Sequence, residues 1–267
     1  MYAKKSETKE RSYLLHMENV KNDYDIKLVA LDMDGTLLNN KGEISFANRQ
    51  AIKAAQEKGI YVVLSTGRSL KTSKEHADAL ELTSYLVTVN GSEIWDEKRE
   101  LVERNLMKAE SITWMWELTK QHKTKFWAIS TERNWHDEMP EDVHTMEWLK
   151  FGFNIDDDAT RELILKELEA KGEFELSNST LKNIEVNPLG INKAKGLEIV
   201  CGRLGIEMKH VMACGDSRND LMMIKEAGLG VAMGNAQDVV KKAADWVTGT
   251  NEEDGVAEAI HKWILHK

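Results

Sequence analysis

Asp32 and Asp34, in "IKLVALDMDGTLLNN" (26–40), are the first residues of the chain whose types and spacing could do chemistry. They close the run Leu28, Val29, Ala30, Leu31, which contains nothing polar. A short unbroken apolar run of this kind predicts a strand buried on both faces, as in a parallel sheet. In extended backbone, residues two apart point the same way, so the two carboxylates converge while Gly35 lets the chain turn behind them. Anions this close repel and require a divalent cation, a shared proton or full exposure to water. An Asp-x-Asp opening with Glu43 at the twelfth position also begins an EF-hand calcium loop, but Leu37 stands where that loop needs its glycine. The plain alternative is an exposed acidic turn at a strand end.

Further candidates stand at the ends of other apolar runs. "IYVVL" (60–64) leads into Ser65, Thr66, Gly67 and Arg68, "YLVTV" (85–89) into Asn90 and Gly91, and "HVMAC" (210–214) into Gly215, Asp216, Asn219 and Asp220. A hydroxyl and a glycine at a helix start suit a phosphate oxygen, or serve as an ordinary N-cap. Asp216 and Asp220, four apart, are expected in the first turn of a helix, on one face. With Asp32 and Asp34 they make four carboxylates at one place, which a hard divalent cation such as Mg²⁺ would stabilise. Lys193 in "GINKAKGL" offers a positive charge for phosphoryl oxygens, with Lys195 two residues on as a rival.

The elements that must position these groups alternate. Strand-like and helix-like runs succeed one another from 26 to 89 and again from about 190 to the end, the signature of a parallel α/β sheet. The closing helix carries Val256, Ile260, Trp263 and Ile264 on one face. Between 92 and 187, helical "ITWMWELTKQ" and "DDDATRELILKELEAKG" mix with strand-like "KFWAIST" and "LKNIEV", which reads as a separate α+β insert. The expected division is a tail over 1–25, a core over 26–91 and 188–267, and the insert over 92–187. In open α/β sheets the ligand site lies beyond the carboxyl ends of the strands, where these candidates fall.

Composition narrows the partners. A net charge of −9 argues against a general nucleic-acid surface. Apolar runs fall short of a membrane span, and the charged start "MYAKKSETKERSYLLHMENVKNDYD" lacks a signal-peptide core, so a cytoplasmic protein is expected. Cys201 and Cys214 are too few for a disulfide framework.

The ordered set "DMDGT", "STGR", "NGSEI", the lysine of "GINKAKGL", "GDSRND" and "GVAMGNA" resembles the haloacid-dehalogenase-like phosphatases, in the Cof-like branch (class IIB) with an α+β cap between the second and third motifs. The resemblance implies a Rossmann-like core and a Mg²⁺-dependent phosphatase for small soluble phosphomonoesters, working through an aspartyl-phosphate. It makes Asp32 the nucleophile, Asp34 the general acid/base, and Thr66, Gly67, Lys193 and Asn219 the phosphate binders. It gives Mg²⁺ to Asp32, Asp34 through its backbone carbonyl, and Asp216, with Asp220 in support. A phosphomutase or phosphotransferase on the same core, or a phosphate-sensing protein, is the alternative. The expected substrates are sugar phosphates, or a phosphorylated cofactor or precursor of the flavin or pyridoxal type, handled by a monomer or weak homodimer. Trp114, Trp116, Trp127, Trp135 and Trp148 fall in the insert. Trp135, between "TERN" and "HDEMP", reads as a loop aromatic able to stack on a planar leaving group, whereas Trp114 and Trp127 read as core.

Overall fold

The computed structural model describes residues 24–266. The expected tail therefore lies outside the described residues except for its last two, of which Tyr24 packs edge-on against Trp263 at 5.5 Å.

An eight-stranded sheet carries the site. Its parallel part comprises β1 (Leu28–Leu31), β2 (Tyr61–Ser65) and β3 (Leu86–Thr88), with three later strands beyond β1. Along β1 the side chains alternate between two cores. Val29 and Leu31 meet α1 (Phe46–Glu57) through Ala51 and Ile52, and Leu28 and Ala30 meet the other helical layer. That is why the run is apolar at every position. α2 (Leu70–Ala79) follows β2.

Two strands correct the expected division. β4 (Glu93–Trp95) and β5 (Leu101–Arg104) pair antiparallel onto the edge of the core sheet at β3, although the insert was expected to begin at residue 92. Gly91, at φ 96°, lets the chain reverse there, and the return strand finds a free sheet edge at once.

The second sheet is antiparallel throughout. Its five strands are ordered β7 (Asn134–His136), β6 (Lys125–Ser130), β8 (Trp148–Asn154), β10 (Asn183–Pro188) and β9 (Phe174–Ser177). α3 (Ala109–His122) and α4 (Asp158–Lys171) cover one face, where Phe126, Phe151, Phe153, Ile164 and Val186 form a core. The period of two then turns Trp127, Lys150, Gly152 and Glu185 to the opposite face. That face looks onto the end of the large sheet.

After β10, α5 (Lys193–Leu204) leads to β11 (Val211–Gly215), then α6 (Leu221–Glu226), β12 (Leu229–Ala232), α7 (Asp238–Ala243), β13 (Trp246–Val247) and α8 (Gly255–Ile260). Val256, Ile260 and Ile264 are buried as their shared face requires. No helix among the described residues is long and apolar enough to cross a membrane.

Candidate active site

β1 and β11 lie side by side in parallel, so their carboxyl ends bring Asp32 and the Asp216–Asp220 segment together. One carboxylate oxygen from each of Asp32, Asp216 and Asp220 lies within 4.8 Å of the others. Lys193, at the start of α5, reaches into this group from beneath. Its Nζ donates to Asp32 Oδ1 at 2.5 Å and to Asp220 Oδ1 at 2.6 Å. Lys195 points elsewhere and pairs with Glu198 on the surface.

Asp216 and Asp220 do not share a helical turn as expected. Residues 218–220 form a short 3₁₀ turn and α6 begins only at Leu221. Asp220 is used to close that turn, its Oδ2 accepting the backbone N–H groups of Asp216 and Ser217 at 2.9 and 3.0 Å. With Oδ1 on Lys193, both its oxygens have donors, which suits support of the cluster better than direct ligation. Asp216 accepts from Ser217 Oγ at 2.9 Å. A Cβ on Gly35, at φ 81°, would stand 2.6 Å from Asp216 Oδ2, so the turn after Asp34 has room for glycine alone.

Asp34 is the exception to convergence. Its carboxylate turns away from the other three and is gripped by Arg68, Nε to Oδ2 at 2.8 Å and Nη2 to Oδ1 at 2.5 Å. A ligand role for its side chain is thus not what the geometry presents.

Two buried carboxylates, Asp32 and Asp220, hold one ammonium, and the half-buried Asp216 stands beside them. Burial first, then Asp220, pushes the Asp32 carboxyl well above its ordinary range, although Lys193 pulls it down. Burial and Asp220 push Asp216 up to about 7. Burial opposes the charge on Lys193, but Asp220 and Asp32 outweigh it and raise its pKa. An all-oxygen donor set with excess negative charge fits a hard divalent cation.

Beyond the cluster opens a cavity of about 300 Å³, lined from the core by Asp32, Asp34, Gly67, Arg68, Asp216 and Asn219. From the second sheet it is lined by Trp127, Ile129, Asn134, Lys150 and Glu185. Gly67 lies against Asn90 and Lys150, where an added Cβ would be 3.1 and 3.3 Å from Oδ1 and Nζ. Asn219 Nδ2 reaches Asn90 Oδ1 at 3.4 Å, and its own Oδ1 is buried without a hydrogen-bond partner among the described residues. Thr66 is buried behind this wall, with Oγ1 accepting the Arg68 N–H at 3.1 Å.

Two results depart from the sequence reading. Trp135 is buried in the second sheet's core, its Nε1 donating to Ser130 Oγ at 3.2 Å and its ring 6.0 Å from Trp148. It belongs to β7, not a loop, and does not reach the cavity; Trp127 does. The second is the buried pair Lys150–Glu185, at 2.6 Å. Burial alone would raise the Glu185 carboxyl, but Lys150, Ser179 and Asn90 hold it at about 2. The signal was present as a lysine inside the otherwise apolar "WLKFGF".

A family model for haloacid dehalogenase-like hydrolases matches residues 29–163 and 138–260. The chain is 57% identical to a 5-amino-6-(5-phospho-D-ribitylamino)uracil phosphatase of Bacillus subtilis (strain 168), over 91% of this chain and 98% of that one. It is 31% identical to a phosphoglycolate phosphatase of Methanobrevibacter smithii, over 90% of this chain and 100% of the other. A crystal structure of a haloacid dehalogenase-like hydrolase from Bacteroides thetaiotaomicron superposes with a TM-score of 0.75 at 33% identity, covering 89% of this chain and 99% of that chain.

Proposed function

The chain belongs to the haloacid dehalogenase-like hydrolases and is a phosphoric monoester hydrolase, and from that premise we propose that it dephosphorylates a ribitylaminouracil 5-phosphate. The observation that carries the substrate is the 57% identity to a phosphatase of that name, running across nearly the whole of both chains. The cavity agrees with it. Its volume of about 300 Å³ and its one aromatic wall suit a leaving group larger than glycolate. The second sheet with its helices then acts as a cap from about residue 105, reading the leaving group while the core handles phosphorus. We place the protein in the cytoplasm.

In this reading Asp32 attacks phosphorus in line, and the bond from phosphorus to the ester oxygen breaks. Asp34 protonates the departing oxygen, which requires one of its carboxylate oxygens to leave Arg68 and carry the proton, and then takes a proton from the water that attacks the aspartyl-phosphate and regenerates Asp32. Lys193 holds Asp32 in position and offsets the charge at the nucleophile. Gly67 and Asn219, on the cavity wall, face the phosphoryl oxygens, Arg68 holds Asp34, and Thr66 fixes the loop behind them through the Arg68 N–H. Mg²⁺, held by Asp32, the Asp34 carbonyl and Asp216 with Asp220 behind, would neutralise charge between carboxylate and phosphoryl group.

The test is a comparison of kcat/KM on the ribitylaminouracil phosphate, phosphoglycolate and a panel of sugar phosphates. The first should exceed the others by at least about ten-fold, a margin that contacts to one extra ring can supply. A preference for phosphoglycolate or a hexose phosphate overturns the substrate.

A further inference from the structure

Gly152 sits in the middle strand of the second sheet, an unusual place for a residue that weakens strands. Directly across β6 its partner is Trp127, and across β10 it is Glu185. A Cβ built on Gly152 would overlap Cε2 and Cζ2 of the Trp127 indole. The missing side chain is therefore what allows the indole to lie across the sheet.

The consequence is a placed aromatic plane. Trp127 is half-buried and lines the same cavity as Asp32 and Asp34, and it is the sole aromatic among the described lining residues. Lys150 Nζ stands 5.1 Å from its ring centroid, at the junction with Gly67. Val89, Ile129 and Leu149 pack beside the ring, which restricts its rotation. Asn134, Ser179 and Thr180 line the cavity with groups able to meet carbonyl and amino edges.

We propose that Trp127, seated over Gly152, is the platform on which the planar heterocycle of the leaving group stacks, and that it sets selectivity for ring-bearing over ring-free phosphate esters. The proposal rests on the substrate reading above. An indole face offers a heteroaromatic ring dispersion and an offset-stacked geometry that a polyol does not match.

The experiment measures kcat/KM for the ribitylaminouracil phosphate and for ribitol 5-phosphate, which keeps the chain and phosphate but lacks the ring. In Trp127→Ala the ratio of the two should fall about ten- to a hundred-fold, the range for losing one stacking contact, mostly through KM on the ring-bearing ester. Trp127→Phe should recover much of it. Trp127→Leu keeps apolar bulk for folding without an aromatic plane, and its ratio decides the matter if the alanine variant does not fold. An unchanged ratio in both variants overturns the platform. If wild-type protein itself shows no preference for the ring-bearing ester, the substrate reading fails instead.

Discussion

Both carboxylate oxygens of Asp34 are held by the single guanidinium of Arg68, at 2.8 and 2.5 Å. The fork fixes the side chain that the proposed chemistry needs as acid and base. Because Asp34 is largely exposed, the pair is worth at most about 1 kcal/mol to the fold. Arg68→Ala should lower kcat by up to about 10²-fold, as misplacement of a catalytic group can, with little change in Tm. An unchanged kcat would show that Asp34 finds its position without Arg68.

Lys193 and Lys195 separate in the same assay. Lys193→Ala should lose on the order of 10²–10³ in rate. It also leaves Asp32 and Asp220 buried without their cation, at a cost of roughly 3–5 kcal/mol, readable by denaturant melt. Lys195→Ala removes a surface pair with Glu198 and should stay within about 0.5 kcal/mol of wild type, with normal turnover. A larger loss from Lys195 would reverse the assignment.

How far these residues could be read from the chain depended on whether the deciding contact was local. Asp32, Asp216 and Lys193 follow from strand ends and helix starts, because a parallel sheet gathers such positions at one edge. Asp34 was misread as a fourth converging carboxylate, since alternation gives a direction but does not reveal that Arg68 competes for the side chain. Trp135 and Trp127 were exchanged for a similar reason. "TERN" has loop composition, yet its asparagine already begins a strand whose tryptophan bonds back to Ser130, and what lets Trp127 lie across the sheet is a glycine twenty-five residues away on the neighbouring strand. The pairing of residues 93–104 with the core depended on a free sheet edge, which composition does not show.

The acidic cluster predicts a pH-dependent response to cation. Asp216 titrates at about 7 in the folded chain against an ordinary 3.8, and Asp32 is raised in the same sense. The folded state therefore holds protons that the unfolded chain releases earlier. The stability this confers is fully present below about pH 4 and is lost as pH rises through 7. Saturating Mg²⁺ should raise Tm more at pH 8 than at pH 5, and Asp216→Asn should shrink that difference. Equal shifts at the two pH values in wild type would contradict a cation site at Asp216.

Covalent capture tests the central claim, that Asp32 is the nucleophile. Asp34→Asn lacks the group proposed to activate water, while p-nitrophenyl phosphate carries a leaving group that needs no proton. That variant, mixed with the ester and Mg²⁺ and quenched in acid, should release about one nitrophenolate per enzyme in a burst. Mass spectrometry should find one phosphoryl group on the peptide that carries Asp32, and none when Asp32→Asn is added. Phosphate released with no enzyme-bound phosphoryl group, or a phosphoryl group on any other residue, would contradict the account.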